Sequence, residues 1–219
     1  MKQFILGWAF LMFISSLPAD ATNDHTIQLE PSLAVQQVQK VTFMQSFGDT
    51  LPPIGYVEFC RERQAECQPE TSVTDRAQLT ARKQSELEQV NKFVNDAVSP
   101  VTDLDLYGRV EVWTYPTTKG DCEDYVLLKR RMLIERGWPE STLLITVVRD
   151  ENNEGHAVLT VHTDRGDLVL DNKRGEIVAW TATPYTYIKR QSERNPLVWI
   201  SLLPTDQATQ AAVSASHSH

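Results

Sequence analysis

Residues 120–137 read GDCEDYVLLKRRMLIERG, and LLITVV follows at 143–148. The first run carries the marks of a helix from Asp121 to Arg136. Acidic residues crowd its first turn, Gly137 terminates it and Pro139 lies beyond. Val126, Leu127, Leu133 and Ile134 fall at helical spacing and form its core face. The second run changes the period. Leu143–Val148 is almost wholly apolar, His156–His162 and Asp167–Asp171 alternate, and Trp180, Tyr185–Ile188 and Leu197–Leu203 supply further strands. Turn residues separate them at Asn152-Asn153-Glu154-Gly155, Asp164-Arg165-Gly166 and Asn172-Lys173-Arg174-Gly175. Helices followed by a run of hairpins predict an α+β fold with this helix packed on an antiparallel sheet.

Upstream, Thr74-Asp75-Arg76-Ala77-Gln78 reads as a helix start, with Asp75 as cap and Gln78 three residues on. Leu79, Leu87, Val90, Val94 and Ala97 make its apolar stripe, and Pro100 closes it. Between Thr22 and Asp75 the pattern is irregular, with turn signals at Leu51-Pro52-Pro53-Ile54-Gly55. No repeat or internal linker interrupts residues 22–204, which read as one domain. The tail, residues 205–219, is polar and rich in small residues, a composition that does not build a core.

The chain begins with Lys2, an apolar run from Phe4 to Leu17 and the small residues around Pro18-Ala19-Asp20-Ala21. This is the pattern of a secretory signal peptide, residues 1–21, whose removal leaves 198 of the 219 residues. Export places the mature chain in an oxidising compartment, in a bacterium the periplasm. The composition, 41% hydrophobic and 23% charged, is that of an ordinary globular protein. A formal charge of −8 argues against a nucleic-acid binder, which needs clustered Lys and Arg. Three Cys are too few for a disulfide-dense scaffold or a Cys-rich zinc site. In an exported protein Cys60 and Cys67 are expected to pair, which frees Cys122. A straight helix would hold residues seven apart about 10.5 Å from each other, so the chain must turn between them.

Cys122 stands in the first turn of the helix, where unpaired N–H groups favour a thiolate. A nucleophile of this kind needs a base, and the base an orienting partner. Of five His, only His156 and His162 lie away from the chain ends. Period two puts His156, Val158, Thr160 and His162 on one strand face. A two-residue turn at Asp164-Arg165 sets His156 opposite Lys173 and brings Asp171 diagonally beside it; a slip by one residue presents Asn172 instead. Cys122 and His156 are therefore the candidate nucleophile and base, with Asp171 or, after the slip, Asn172 as orienting partner; the carboxylate is the better partner for an imidazolium.

The GDCEDY, GHAVL and LVLDN stretches, with Tyr107-Gly108 and Trp113 upstream, resemble the bacterial transglutaminase-like cysteine proteinases, the LapG-type periplasmic proteases. The resemblance runs from about Leu51 to Leu203. It implies a papain-like, transglutaminase-like core with Cys122, His156 and Asp171 as the triad. It also implies hydrolysis of a peptide bond in a protein substrate, in known cases a large surface adhesin whose cleavage releases a biofilm. Control by an inner-membrane cyclic-di-GMP receptor belongs to the same picture. Two other readings stand beside it: acyl transfer to an amine on the same triad, and a binding module with an inert thiol. The backbone N–H of Cys122 would supply one oxyanion donor. For a second, the Trp113 indole is a candidate, although a packed aromatic is the plainer reading.

Asp121, Glu123 and Asp124 surround Cys122 with charges that oppose its ionisation. One explanation is that Asp121 caps the helix while the other two favour its dipole. The other is that a hard cation gathers them, and Ca²⁺ suits oxygen ligands from several positions, with Asp103 and Asp105 as further candidates. The family resemblance implies calcium dependence through acids beside the nucleophile, on Asp121, Glu123 and Asp124.

Overall fold

A computed structural model describes residues 42–69 and 71–204. The predicted signal peptide and polar tail lie outside the described residues. In chain order the elements are β1 (Asp49–Thr50), α1 (Ile54–Glu62), α2 (Ala81–Ala97), β2 (Ser99–Pro100), α3 (Asp103–Tyr107), β3 (Lys119–Gly120) and α4 (Cys122–Glu135). There follow β4 (Leu143–Arg149), β5 (Gly155–Thr163), β6 (Gly166–Leu170), β7 (Val178–Ala179), β8 (Thr186–Gln191) and β9 (Trp199–Ser201). Seven strands form one sheet in the order β1-β9-β8-β4-β5-β6-β7, every neighbouring pair antiparallel. This is the predicted α+β architecture.

The sheet is buried on both faces. Odd-numbered residues of β4 and β5 (Leu143, Ile145, Ala157, Leu159, Val161) join the core that α2 and α4 cover with Leu87, Val90, Val94, Val126 and Leu133. Even-numbered Val148 and Val158 join Val169, Tyr185 and Tyr187 on the opposite face. Each Leu, Ile or Val among them contributes roughly 1.5–3 kcal/mol when fully buried. β5 therefore alternates in chemistry, as its period requires, although both faces are shielded from water.

α4 runs as read, within one residue at each end. Arg136 is its C-cap and Gly137 follows at φ +81°, a left-handed conformation that favours glycine. α2 does not. It starts at Ala81 with Thr80 as cap, whose hydroxyl accepts from the Lys83 N–H at 3.2 Å. Ala77 is instead held against the end of β5. Its N–H donates to the His162 carbonyl at 3.0 Å and its carbonyl accepts from Asp164 N–H at 3.0 Å. That long-range pairing overrides the local capping signal at Asp75. Ala97 also departs from the expected stripe and is exposed.

The stretch read as irregular contains α1, which begins directly after Pro52-Pro53. Proline at the start of a helix loses nothing, because the N–H there has no intrahelical partner. α1 buries Tyr56, Phe59 and Cys60, and a short 3-10 turn over Gln64–Cys67 brings Cys67 back. Cys60 and Cys67 form a disulfide with their Cα atoms 5.7 Å apart. Trp180 is not in a strand. It opens a 3-10 turn after β7 and stacks edge-on against Tyr187 at 5.5 Å.

Candidate active site

Three segments meet at one cleft of about 570 Å³: the start of α4, the start of β5 and the proline pair that leads into α1. Cys122 and Glu123, His156 and Ala157, Pro53 and Trp113 are among its walls. Cys122 is the first residue of α4, one residue after β3 ends at Gly120, and the turn between them is tight. A Cβ at Gly120 would come within 2.5 Å of the Asp124 carboxylate, so only glycine fits.

His156 and Asp171 meet. Strand pairing between β5 and β6 runs from Thr163↔Gly166 to Leu159↔Leu170, the register set by a two-residue turn at Asp164-Arg165. One residue past β6, the Asp171 Oδ1 lies 2.9 Å from His156 Nε2. That ring nitrogen is thereby engaged by the carboxylate, leaving Nδ1 for proton exchange. Both side chains are almost wholly buried. Asp171 is further held by Tyr185, whose hydroxyl donates to Oδ2 at 2.6 Å, and by the Lys173 N–H, which donates to Oδ1 at 2.9 Å. Burial would push the Asp171 carboxyl up; the hydrogen bonds from His156 and Tyr185 prevail and hold it below the ordinary range. Tyr185 also sets its ring edge-on to the imidazole at 5.6 Å. In the sequence Tyr185 is only a strand residue; its two contacts depend on β8 lying on the far side of β4 from β5.

Cys122 is the one free cysteine among the described residues. Its thiol donates to Glu123 Oε2 at 2.7 Å. Burial pushes the thiol well above its ordinary range, and the Glu123 charge and hydrogen bond push in the same direction. The Ala157 N–H acts the other way. The helix start thus does not by itself produce a thiolate while the acids around it carry their charge.

Those acids divide differently from expectation. Ligand atoms of Asp103, Asp121 and Asp124 lie within 4.8 Å of one another, and Glu123 is not of their number. Glu123 accepts from the thiol and its carboxyl also engages that of Asp121. Asp105 belongs to a local cap, where its N–H donates to Thr102 Oγ1 at 3.2 Å and its carboxylate accepts from that hydroxyl at 2.8 Å. Asp121 makes no side-chain cap bond to α4, so the capping explanation does not hold for it. One oxygen of each clustered acid (Asp103 Oδ1, Asp121 Oδ1, Asp124 Oδ2) is buried without a hydrogen-bond partner. The second oxygens of two of them are anchored: Val112 N–H donates to Asp103 Oδ2, and Thr114 N–H to Asp124 Oδ1 at 2.9 Å. Burial, with the Glu123 charge added, pushes Asp121 up to about 8. Burial likewise pushes Asp124 up to about 7. Three clustered carboxylates, each with one buried oxygen lacking a hydrogen-bond partner, fit a hard cation such as Ca²⁺.

Trp113 packs edge-on against Tyr56 and Trp199, and its indole N–H donates to Glu111 Oε2 at 3.2 Å. It is a packed aromatic whose donor is already engaged.

Residues 46–207 match the family described as bacterial transglutaminase-like cysteine proteinase BTLCP. The chain belongs to that family. Solved structures of LapG from Legionella pneumophila are similar to it. The EGTA-treated form is 26% identical with a TM-score of 0.46, over 53% of this chain and 66% of that one. The calcium-bound form is 22% identical with a TM-score of 0.48, over 63% and 82%. A third is 24% identical with a TM-score of 0.47, over 59% and 75%. The chain thus spans just under two thirds of the first of these. No curated protein matches it. No helix among the described residues is long and apolar enough to cross a membrane.

Proposed function

We propose that this member of the cysteine proteinase family is a periplasmic peptidase that cleaves a protein substrate with Cys122, His156 and Asp171, and that Ca²⁺ bound by Asp103, Asp121 and Asp124 activates it. The observation that carries the reading is the buried 2.9 Å contact between His156 Nε2 and Asp171 Oδ1, at the same cleft as the only free thiol described.

In this mechanism His156 Nδ1 takes the thiol proton, and Asp171 stabilises the imidazolium through Nε2. The Cys122 sulfur attacks the scissile carbonyl, and the oxyanion is met by the free N–H of Cys122 at the helix start. His156 then protonates the leaving amine as the C–N bond breaks. Water, deprotonated by His156, attacks the thioester and returns the thiol. A bound divalent cation would supply positive charge beside the nucleophile, offsetting the acids that otherwise oppose its ionisation.

The cleft is open and lined by Pro52, Pro53, Ile54 and Val147 together with Arg149 and Lys189, which suits an extended polypeptide rather than a small metabolite. A surface adhesin is the substrate and a cyclic-di-GMP receptor the regulator that this reading carries from the family resemblance. Purified protein with and without Cys122→Ala, incubated with a candidate adhesin fragment in Ca²⁺, tests the reaction. Two product fragments that vanish in the variant support hydrolysis; incorporation of an added amine would make it an acyl transferase.

A further inference from the structure

The floor of the cleft is a row of three side chains that crosses the sheet. Ala157 of β5 pairs with Val147 of β4, and Val147 pairs on its other side with Lys189 of β8. All three line the cleft together with Cys122 and His156. The row begins at the nucleophile, because the Ala157 N–H meets the Cys122 sulfur. It ends at an ammonium. Strands lie about 4.8 Å apart, so two spacings carry the floor about 10 Å from β5 to β8. An extended substrate advances about 3.3 Å per residue and covers that distance in about three residues.

β8 is irregular where it supplies this lysine. Val147 pairs with Lys189 and the next residue, Val148, with Tyr187, so Ile188 is left as a bulge. A bulge re-aims the side chains beside it, and bulges gather next to active sites. Lys189 is half-buried, and one of its three donors is used, on the Leu51 carbonyl at 2.9 Å. Arg149, two residues along β4 from Val147, likewise gives one donor to the Asn153 carbonyl at 2.9 Å. Neither cation forms an ion pair among the described residues, whereas Lys173, close to His156, is paired with Asp150 at 2.6 Å. Glu111, also in the wall, is the acid whose charge reaches Lys189, but its Oε2 accepts from the Trp113 indole. Two cations with donors to spare, at one end of a cleft wide enough for a peptide, call for an anion.

We propose that Lys189, with Arg149 beside it, is a specificity-determining subsite that takes the side-chain carboxylate of an Asp or Glu about three residues from the scissile bond. The preferred substrate is a segment that carries an acidic residue at that spacing. The inference rests on the peptidase reading above and adds the chemistry of the substrate to it.

The full chain in Ca²⁺ is given a proteome digested to peptides, and the new termini are read by mass spectrometry, with Cys122→Ala as background. Wild type is expected to favour Asp and Glu at one position about three residues from the cut, by about two- to fivefold, the range of a partly exposed ion pair. Lys189→Met should abolish the preference, Lys189→Arg keep it and Lys189→Glu reverse it toward Lys and Arg. Glu111→Gln, which removes the competing charge, should strengthen it. A lysine that only fastens Leu51 would lower the thermal midpoint in Lys189→Met and leave the profile as it is. Cys122-dependent cleavage without acidic enrichment, or with an enrichment that Lys189→Glu leaves unchanged, overturns the subsite alone. So do cuts at a fixed distance from peptide C-termini, which would assign the cations to a terminal carboxylate. The absence of any Cys122-dependent cleavage overturns the peptidase reading, and the subsite with it.

Discussion

The Cys122 thiol donates to the carboxylate of its own neighbour, Glu123, at 2.7 Å, and not to the imidazole across the cleft. Burial and the acid beside it oppose ionisation of the nucleophile, while His156 is already oriented by Asp171. Base and orienter are in place, and what the site lacks is a reason for the thiol to ionise.

If the clustered acids hold Ca²⁺, activity should be lost in EGTA and return with Ca²⁺ but not Mg²⁺, which demands tighter octahedral geometry. Asp103→Asn, Asp121→Asn and Asp124→Asn should each raise the Ca²⁺ needed for half-maximal activity by roughly tenfold or more, because ligand charge sets affinity. Calorimetry should show the same order of loss in binding. At a hundredfold excess over Kd, Ca²⁺ should stabilise the fold by about 2.7 kcal/mol. Undiminished activity after verified metal removal would refute the site.

Cys122→Ala and His156→Ala should each reduce turnover by about 10³-fold or more, and the double variant should be scarcely worse than either, as members of one nucleophilic unit fail together. Asp171→Asn should be milder. Circular dichroism must show the fold retained. Additive losses in the double variant would mean that the two residues act in separate steps.

The Cys60–Cys67 bridge closes a short loop and should contribute roughly 2–3 kcal/mol, read as the difference in urea unfolding between wild type and the Cys60→Ala, Cys67→Ala double variant. Thiol titration of the denatured, unreduced chain should find the single thiol of Cys122. Three thiols would show that the bridge does not form.

Asp150 joins the two turns on either side of His156. Its Oδ1 accepts from the Asn152 and Glu154 N–H groups at 2.9 Å each, and its Oδ2 from Lys173 Nζ at 2.6 Å. The Lys173 hydrogen bond, followed by that of the Glu154 N–H, holds its carboxyl at about 2, below the ordinary 3.8. A depressed folded-state value gives stability that is present above about pH 4 and lost as pH falls toward 2. Asp150→Asn should therefore lower the thermal midpoint at pH 6, and the gap to wild type should close by pH 2. A gap independent of pH would assign the effect to packing.

What could be read without coordinates was what depends on neighbours in the chain. A two-residue turn and the alternation of two strands bring either Asp171 or, after a slip, Asn172 to His156, and the register pairing Thr163 with Gly166 selects Asp171. The start of α2 was misread because Ala77, in a good local helix signal, is claimed by β5 more than eighty residues away, with its N–H on the His162 carbonyl. The acidic cluster was half legible for the same reason. Asp121 and Asp124 sit beside Cys122 in sequence, whereas Asp103 joins them because Val112 and Thr114 fold the 103–114 segment back over α4 through their N–H groups. Glu123, equally close in sequence, reaches both the Cys122 thiol and the Asp121 carboxyl.

The sheet closes at each margin with a strand of only two residues, Asp49–Thr50 on one side and Val178–Ala179 on the other. An outer strand that short exposes almost no ladder of free N–H and C=O groups for a foreign chain to join. Among the described residues, the margins of the sheet thus offer little for a neighbouring extended chain, a second copy of this one included, to build upon.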